Sequence, residues 1–271
     1  MDRPINGILR RAWLAGAPLA PLVKLGYPVL AWLSTRPPFV RAVNVDGLRF
    51  FVSVLDLAVG RSLRTTGRWE PLTTEVVKRL LSPGMVFLDI GAQMGYYTLV
   101  ASRSVGATGR VFAFEPDQRH ISLLRRSLRE NGVRNVAIVP VAVFNETGKF
   151  DIQFSAWAPK RSVPAVRLDD YFAGKDKRID LIKMDIDGAE GLALQGMDRV
   201  LEANPRVRLI VEYDPWSHRM RGRSPTDLLD ALSERGFGIE LVIDESLGQA
   251  WQVGLNEVRS IQASVNLRVS R

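Results

Sequence analysis

MVFLDIGAQMGYYTLV, residues 85–100, contains an apolar run, a glycine-bounded turn and the start of a helical pattern. The run Met85–Ile90 is apolar apart from one acid near its end, as is typical of a parallel strand buried on both faces. Gly91 and Gly95 bound the turn, and a segment with helical character, Tyr96–Val105, follows directly. The stretch therefore predicts a buried strand that passes through a tight turn into a helix.

The alternation of strand and helix continues along the chain. It indicates an α/β fold with a mostly parallel sheet and helices on both faces, in which ligands bind outside the carboxyl ends of the strands. Residues 142–154 depart from the alternation, because they are typical of a hairpin around Thr147-Gly148. The predicted strands are Met85–Ile90, Arg110–Glu115, Asn135–Val141, Ile179–Asp185, Val207–Tyr213, Gly238–Ile243 and Ser260–Leu267. The predicted helices are 72–82, 96–105, 121–131 and Pro225–Arg235, with another near Gly188.

The composition excludes several classes of protein and site. The chain has 271 residues, of which 46% are hydrophobic and 24% charged, so it can bury the core of an α/β domain and is not disordered. It contains no cysteine, which excludes a disulfide scaffold, zinc–thiolate sites, iron–sulfur clusters and a thiol nucleophile. Because only two histidines are present, multi-histidine metal sites are excluded too.

The positive charge is concentrated at the N-terminus. The net charge is +8, and residues 1–71 hold ten Lys/Arg and four Asp/Glu, so six of these charges lie there. The segment Ala12–Thr35 is apolar, but three prolines argue against a continuous membrane-spanning helix. Two interpretations stay open: the segment packs on the body as broken helices, or residues 1–40 contact a membrane peripherally.

A capping hairpin is predicted next, around the turn Asp46-Gly47. We therefore expect two parts of the chain. Residues 1–71 would form an N-terminal helical and hairpin arm that is basic and apolar. Residues 72–271 would form the cofactor-binding domain.

The glycine turn favours a cationic ligand over a dinucleotide. A pyrophosphate site needs G-x-G-x-x-G directly after the strand, whereas this chain has an acid, Asp89, in front of Gly91. S-adenosylmethionine fits better, because it carries an ammonium and a sulfonium and has no phosphate. Glu115 and Asp185 end two further strands and would face the same crevice. A glycine turn after an acidic strand end also occurs in many other α/β folds, so this pattern alone leaves the cofactor open.

Five motifs in order resemble the FkbM-type methyltransferases: LDIGAQMGYYT, VFAFEPD, VRLDDYF, DLIKMDIDGAEGLALQGM and LIVEYDP, within about residues 66–215. The resemblance implies a class I methyltransferase-like, doubly wound sheet of seven strands. It also implies methyl transfer from S-adenosylmethionine to a hydroxyl group, on a sugar, a glycolipid or a secondary metabolite. Two positions depart from the family pattern: Gln93 stands where Asn is common, and Asp187 where Glu is more usual.

The resemblance also assigns residues to the cofactor. Asp89, Gly91 and Gly95 match the cofactor loop, and Glu115 matches the acid that binds the ribose. Glu70 and Thr74 could close over the methionine end, although a helix cap at Thr73 or Thr74 is the alternative. The complete predicted cofactor-binding set is Glu70, Thr74, Asp89, Gly91, Gln93, Gly95, Thr98, Glu115, Asp169 and Asp185.

Methyl transfer needs alignment of the reactants and a base for the acceptor proton. The predicted catalytic residues are Asp185, Glu212 and His218, which lie at or just after strand ends. For His218, the alternative is an exposed loop histidine. Asp185, Glu212 and Asp214 could instead hold a hard divalent cation, but no metal is predicted. We expect Lys183 to be structural and His120 to be a surface residue, and Glu190 either to line the pocket or to favour the helix N-terminus electrostatically.

The leading hypothesis is an S-adenosylmethionine-dependent O-methyltransferase of a small hydroxylated acceptor. We expect no nucleic-acid partner, because the body is nearly neutral. The alternatives are a non-catalytic protein that keeps the cofactor fold and docks to a membrane or partner, and an NAD-dependent oxidoreductase or epimerase. We expect a cytoplasmic protein, with peripheral membrane contact through residues 1–40 as an option.

Overall fold

The computed structural model describes residues 29, 32–152, 160–175 and 178–271. The strands are β1 Val40–Val45, β2 Leu48–Ser53, β3 Val86–Ile90, β4 Arg110–Phe114, β5 Val136–Val139, β6 Ala142–Val143, β7 Gly148–Ile152, β8 Arg161–Val166, β9 Leu181–Met184, β10 Arg208–Tyr213, β11 Gly238–Asp244, β12 Gln249–Trp251 and β13 Val265–Ser270. The helices are α1 Val59–Thr66, α2 Pro71–Leu80, α3 Tyr96–Val105, α4 Gln118–Glu130, α5 Leu168–Tyr171, α6 Glu190–Gln195, α7 Asp198–Ala203, α8 Pro215–Met220, α9 Thr226–Glu234 and α10 Leu255–Val258.

Most of the predicted apolar arm, Ala12–Thr35, lies outside the described residues. At its end Trp32 is exposed, and the guanidinium of Arg36 lies 4.1 Å from the centre of its ring. Within the described part of the chain, none of the helices combines the length and apolar character that a membrane crossing requires.

The main sheet has the order β12-β11-β13-β10-β9-β3-β4-β5. Strands β5, β4, β3, β9 and β10 are parallel, whereas β13 is antiparallel to β10 and β11, and β12 is antiparallel to β11. The expected α/β fold with a mostly parallel sheet is confirmed. The expected count of seven strands is wrong, because the three-residue strand β12, too short to leave a sequence pattern, adds an eighth at the edge.

Two predictions about local pairing are also wrong. Strands β6 and β7 do not form a hairpin around Thr147-Gly148, because each of them pairs with β8. The sequence predicts a turn from neighbouring residues alone, whereas the pairing involves β8, which is farther along the chain and hydrogen-bonds to both β6 and β7. The strand expected at Ser260–Leu267 begins later, at Val265, because residues 255–258 form helix α10.

The hairpin β1–β2 is confirmed, and it packs against the main sheet domain. Its turn residues Asp46 and Gly47 both have positive φ, as a tight two-residue hairpin turn requires. Phe50 and Phe51 of β2 are buried in one apolar cluster with residues of α3 and α4. The hydroxyl of Ser127 accepts a hydrogen bond from the backbone N–H of Phe51 at 2.9 Å. The hairpin therefore packs against α4 and contributes to the apolar cluster on one face of the sheet.

Alternation along the strands places polar residues on that same face. Leu88 and Ile90 of β3 pack in the apolar cluster on one face of the sheet, and Phe87 packs in the cluster on the opposite face. Because successive side chains point to opposite faces of a strand, Asp89 belongs to the face of Phe87, which α2, α3 and the hairpin cover. The same reasoning places Lys183 with Leu181 on that face of β9. Polar groups therefore collect beneath α2 and α3 at the carboxyl ends of the strands.

Candidate active site

The turn after β3 needs its glycines. Gly91 has φ of 87°, and a Cβ atom there would lie 2.0 Å from the carbonyl oxygen of Asp185. Gly95 has φ of 88°, and its Cβ would lie 2.2 Å from the side chain of Leu124. Both residues need the left-handed region and the missing side chain. The turn therefore packs directly against Asp185, which follows β9.

Asp89 is buried immediately before this turn. It is 2% exposed, and the hydroxyl of Thr98 on α3 donates to its Oδ2 at 2.5 Å. Burial raises the pKa of Asp89 to about 6, although the Thr98 hydrogen bond and the charge of Lys183 act in the opposite direction. Two of the predicted cofactor residues, Asp89 and Thr98, therefore form one hydrogen-bonded unit at the turn.

Glu115 stands beside the turn at the end of β4. Its carboxylate accepts hydrogen bonds from the backbone N–H groups of Gln93 at 2.9 Å and Asp117 at 2.7 Å. The Nδ1 atom of His120 lies 3.5 Å from it. The side chain of His120 is 27% exposed, so this residue lies half-buried at the surface. Burial alone would lower the pKa of His120, but hydrogen bonding and charge from Glu115 raise it.

Lys183 lies inside the group of acids, and reasoning from the sequence missed this. It is 2% exposed, its Nζ atom is 2.9 Å from Oδ2 of Asp185, and it lies 4.4 Å from the centre of the Tyr97 ring. Burial would lower its pKa, but the charges of Asp185, Glu70 and Asp89 raise it well above the ordinary value. The sequence feature that indicates this position is a lysine within the apolar strand LIKM, because a buried lysine needs an acidic partner nearby.

Asp185 and Glu212 form a carboxyl pair. Burial raises the pKa of Glu212 well above its ordinary value, and the neighbouring charge of Asp185 adds to the shift. For Asp185, burial is outweighed by the charge and hydrogen bond of Lys183, so its pKa is lowered. Ser264 donates a hydrogen bond to Glu212 at 3.0 Å. Of the two acids, Asp185 therefore loses its proton more readily and Glu212 retains its proton more readily.

Glu70 lies over this pair from the start of α2. Its φ is 40°, in the left-handed region, and its carboxylate accepts hydrogen bonds from the hydroxyl of Tyr97 at 2.7 Å and from Nδ2 of Asn266 at 3.2 Å. Burial raises its pKa. Thr74, also predicted at the site, donates to the carbonyl oxygen of Trp69 at 3.0 Å.

The threonine cap offered as the alternative is wrong. Glu70 occupies the N-cap position of α2, although its side chain makes no capping hydrogen bond. The carboxylate of Glu245, from the turn between β11 and β12, accepts hydrogen bonds from the backbone N–H groups of Leu72 and Thr73 instead. The side chain of Glu70 is therefore free to reach the carboxyl pair.

These groups border a narrow crevice between the glycine turn and the start of α2. The structure brings most of the predicted cofactor residues together at or beside it. Its lining residues are Val59, Trp69, Asp89, Gly91, Ala92, Gln93, Met94, Tyr96, Tyr97, Lys183 and Asp185.

His218 lies elsewhere than expected. It belongs to helix α8 and is 1% exposed, so the alternative of an exposed loop histidine is wrong. Its Nε2 atom lies 3.5 Å from Oε2 of Glu190, and within the described chain neither atom has a hydrogen-bond partner. Oε1 of Glu190 accepts from the backbone N–H groups of Ile186 at 2.8 Å and Gly188 at 3.2 Å. Glu190 and His218 therefore contact the segment that follows Asp185 and help to hold it in place.

Two predicted acids stabilise helix starts. Asp169 accepts a hydrogen bond from the backbone N–H of Val200 at 3.0 Å, near the start of α7, and its role in cofactor binding stays a prediction. Asp214 caps α8 by accepting hydrogen bonds from the N–H of Trp216 at 3.0 Å and the hydroxyl of Ser217 at 2.7 Å. Over the described ranges, no three His, Asp or Glu side chains are grouped to hold a metal ion.

The chain matches one family model and is similar to known methyltransferases. The family model "Methyltransferase FkbM domain" matches residues 89–239. The chain is 42% identical over 65 residues to "Ribosomal RNA large subunit methyltransferase E" of Nitrosomonas eutropha, covering 22% of this chain and 32% of that protein. It is 33% identical over 75 residues to "Probable cobalt-precorrin-6B C(15)-methyltransferase (decarboxylating)" of Sulfolobus acidocaldarius, covering 26% and 39%. The chain thus spans well under half the length of these two relatives.

Among solved structures, the chain is similar to fibrillarin of Aeropyrum pernix in complex with natively bound S-adenosyl-L-methionine. The TM-score is 0.47 and the identity 12%, over 86% of this chain and 84% of that one.

Proposed function

This chain belongs to the FkbM methyltransferase family, and from that premise we propose that it transfers a methyl group from S-adenosylmethionine to a hydroxyl group of a small acceptor molecule. The observation that carries the proposal is the position of Asp185. Its backbone carbonyl lies against the Gly91 turn that would hold the methyl donor, and its side chain borders the crevice with the carboxylate paired to Lys183.

The residues at the turn suit this cofactor. Asp89 and Glu115 present carboxylates on either side of the turn, which favours a ligand bearing positive charge and ribose hydroxyls. A buried acid at this place disfavours the pyrophosphate of NAD. Asp89, Gly91, Gln93 and Glu115 would hold the cofactor. When bound, S-adenosylmethionine would supply an electrophilic methyl group, with its sulfur as the leaving group.

The protein's own contribution is orientation and proton removal. As the acceptor oxygen bonds to the methyl carbon, Asp185 accepts the proton of the hydroxyl group. Lys183 keeps Asp185 ionised and oriented, because its ammonium lies 2.9 Å away and is itself buried. Burial and the charge of Asp185 raise the pKa of Glu212, which suits Glu212 to be the hydrogen-bonded partner of the base. A positioned base of this kind contributes about 10²–10⁴-fold to rate.

His218 has no direct role in this proposal. It faces Glu190 beneath the segment after Asp185, and burial lowers its pKa. Both side chains are buried, so we assign them to support of that segment. The base is therefore Asp185 rather than the histidine.

Calorimetric titration with S-adenosylhomocysteine, with NAD as the parallel ligand, tests the cofactor. One-to-one binding of the first ligand alone is expected. Transfer from tritiated S-adenosylmethionine to hydroxylated acceptors then tests the reaction, with Asp185→Asn expected to bind the cofactor but lose at least 100-fold in turnover. Cofactor binding with turnover unaffected by Asp185→Asn would refute the base assignment. Binding without any turnover would favour the non-catalytic alternative.

A further inference from the structure

Polar side chains continue along the sheet beyond Asp185, on the face that α2 covers. Glu212 of β10 and Asn266 of β13 are directly opposite each other in the antiparallel pair. The neighbours of Asn266, Val265 and Leu267, pack in the apolar cluster of the other face, so Asn266 points to the face of α2. Glu70 reaches the same place from the start of α2 and bonds to Asn266.

This group lies away from the turn that would hold the cofactor. Glu115 and Asp89 are on neighbouring strands, β4 and β3, whereas β13 is four strand spacings from β4. At about 4.8 Å for each spacing, Asn266 is ~19 Å along the sheet from Glu115. A ligand anchored between Glu115 and Asp89 would therefore leave Glu212, Asn266 and Glu70 on the far side of Asp185, where an acceptor must approach.

Asn266 has an unused hydrogen-bonding atom. Its side chain is 3% exposed, and its Nδ2 donates to Glu70, which fixes which end of the amide faces the carboxylate. Within the described residues its Oδ1 is buried without a hydrogen-bond partner. Since an unpaired buried polar atom costs roughly 1–3 kcal/mol, such an atom beside a functional crevice indicates a missing donor.

The charges around this atom restrict what the donor can be. The carboxyl groups of Glu70, Asp89 and Asp185 surround one buried cation, Lys183, which is already paired with Asp185, and Glu212 lies beside Asp185. Their oxygens accept hydrogen bonds, and the excess of acids repels phosphate and carboxylate groups. Hydroxyl and ammonium groups are donors that this surface can bind.

We propose that Glu70, Glu212 and Asn266 form the acceptor-binding wall of the site, and that it takes an uncharged or aminated polyhydroxylated molecule, such as a glycosyl unit, while excluding anionic acceptors. The proposal rests on the methyltransferase function proposed above and deepens it. It also moves Glu70 from the cofactor, where its position just before the first strand of the domain suggested it, to the acceptor. A sugar phosphate or an RNA strand would place its negative charge against this wall.

The first test compares acceptors. Wild-type protein is incubated with tritiated S-adenosylmethionine and a matched panel: methyl glycosides, their amino-sugar analogues, the corresponding uronides and sugar phosphates, and a short RNA. We expect kcat/KM for an uncharged or aminated glycoside to exceed that of its anionic match by at least tenfold. Equal or preferred methylation of a uronide, sugar phosphate or RNA overturns the proposal. Failure to methylate every uncharged and aminated member, by protein that binds S-adenosylhomocysteine, overturns it as well.

The second test uses variants. Asn266→Leu and the shape-preserving Glu70→Gln should each lower kcat/KM for the acceptor at least tenfold, through KM, and leave the Kd of S-adenosylhomocysteine within twofold. Ser270→Ala, on the same strand but bonded to Glu240, is the matched control and should change neither quantity. Loss of S-adenosylhomocysteine affinity in Glu70→Gln would return Glu70 to the cofactor and overturn the assignment. Absence of cofactor binding in the wild-type protein would instead defeat the proposed function itself.

Discussion

Replacing Glu190 by glutamine should stabilise the protein at pH 8 and have little effect at pH 5. Glu190 is 1% exposed, and burial raises its pKa from 4.5 to about 7. The folded chain therefore holds this proton more tightly than the unfolded chain does. The stabilisation that comes from burying Glu190 as the neutral carboxylic acid is complete below pH 4.5. It is lost as the pH rises towards 7, the pKa of Glu190 in the folded chain.

The size of this stability effect follows from the difference between the pKa values of Glu190 in the unfolded and folded chain. Each pH unit between the two pKa values is worth ~1.4 kcal/mol, so ionising Glu190 in the folded state costs about 3 kcal/mol at pH 8. Glutamine is always neutral, and its oxygen can still accept the hydrogen bonds from Ile186 and Gly188. Its amide nitrogen can donate towards His218, which lies 3.5 Å from the present carboxylate. The variant removes the cost of ionisation and keeps the packing.

Urea unfolding of wild type and Glu190→Gln at pH 5 and pH 8 measures this difference. The expected gain in the free energy of unfolding is up to about 3 kcal/mol at pH 8 and under about 1 kcal/mol at pH 5. Glu234→Gln is the control, because the Glu234 side chain is 76% exposed and should give no pH-dependent difference. Equal effects of Glu190→Gln at the two pH values would refute the reasoning.

Three further predictions concern the crevice. Asp89→Ala and Glu115→Ala should each weaken S-adenosylhomocysteine binding tenfold or more, about 1.4 kcal/mol, in a calorimetric titration; unchanged affinity in both would contradict the cofactor assignment. Gly91→Ala should destabilise the protein by about 3 kcal/mol in urea unfolding, because its Cβ would overlap the carbonyl of Asp185 at positive φ. Lys183→Met should cost up to about 3 kcal/mol at pH 7, because it leaves Asp185, whose side chain is 22% exposed, without its counter-charge, and much less at a pH where Asp185 is protonated.

The strand and helix pattern of the body could be predicted from the sequence because its strands are long or apolar. Runs such as Met85–Ile90 and Val207–Tyr213 are buried on both faces, and their hydrophobicity identifies them without knowledge of their partners. The edge strand β12 and the strand β8 were missed. One is three residues long, and the other contains a proline and is half exposed, so neither leaves a strong periodic signal.

The cofactor side of the site was more predictable than the acceptor side for a related reason. Asp89, Gly91 and Glu115 lie next to one another in the fold because each is adjacent to the end of a neighbouring parallel strand, which sequence order indicates. Asn266 and Glu70 are 196 positions apart and meet only through the antiparallel return of β13 beneath α2. The segment PWSHRM forms a helix with Asp214 as its N-cap. It is too short to show helical periodicity, so the sequence predicts a loop around His218.

One rule of side-chain alternation explains why so many ionisable groups lie together under α2. On β3, β9, β10 and β13, the residues of one parity are apolar throughout and pack in a single cluster. On β3 and β9 the other parity begins apolar, as Phe87 and Leu181, and changes to Asp89 and Lys183 at the next position on that face. Asp89 and Lys183 are registered with each other, so the change occurs at one level on these two strands. On β10 Lys183 is registered with Ile210, and Glu212 follows one position further along the same face. Lys183 at the centre partly neutralises the acids, and this allows these polar side chains to stay buried until ligands with their own donors and positive charge reach them.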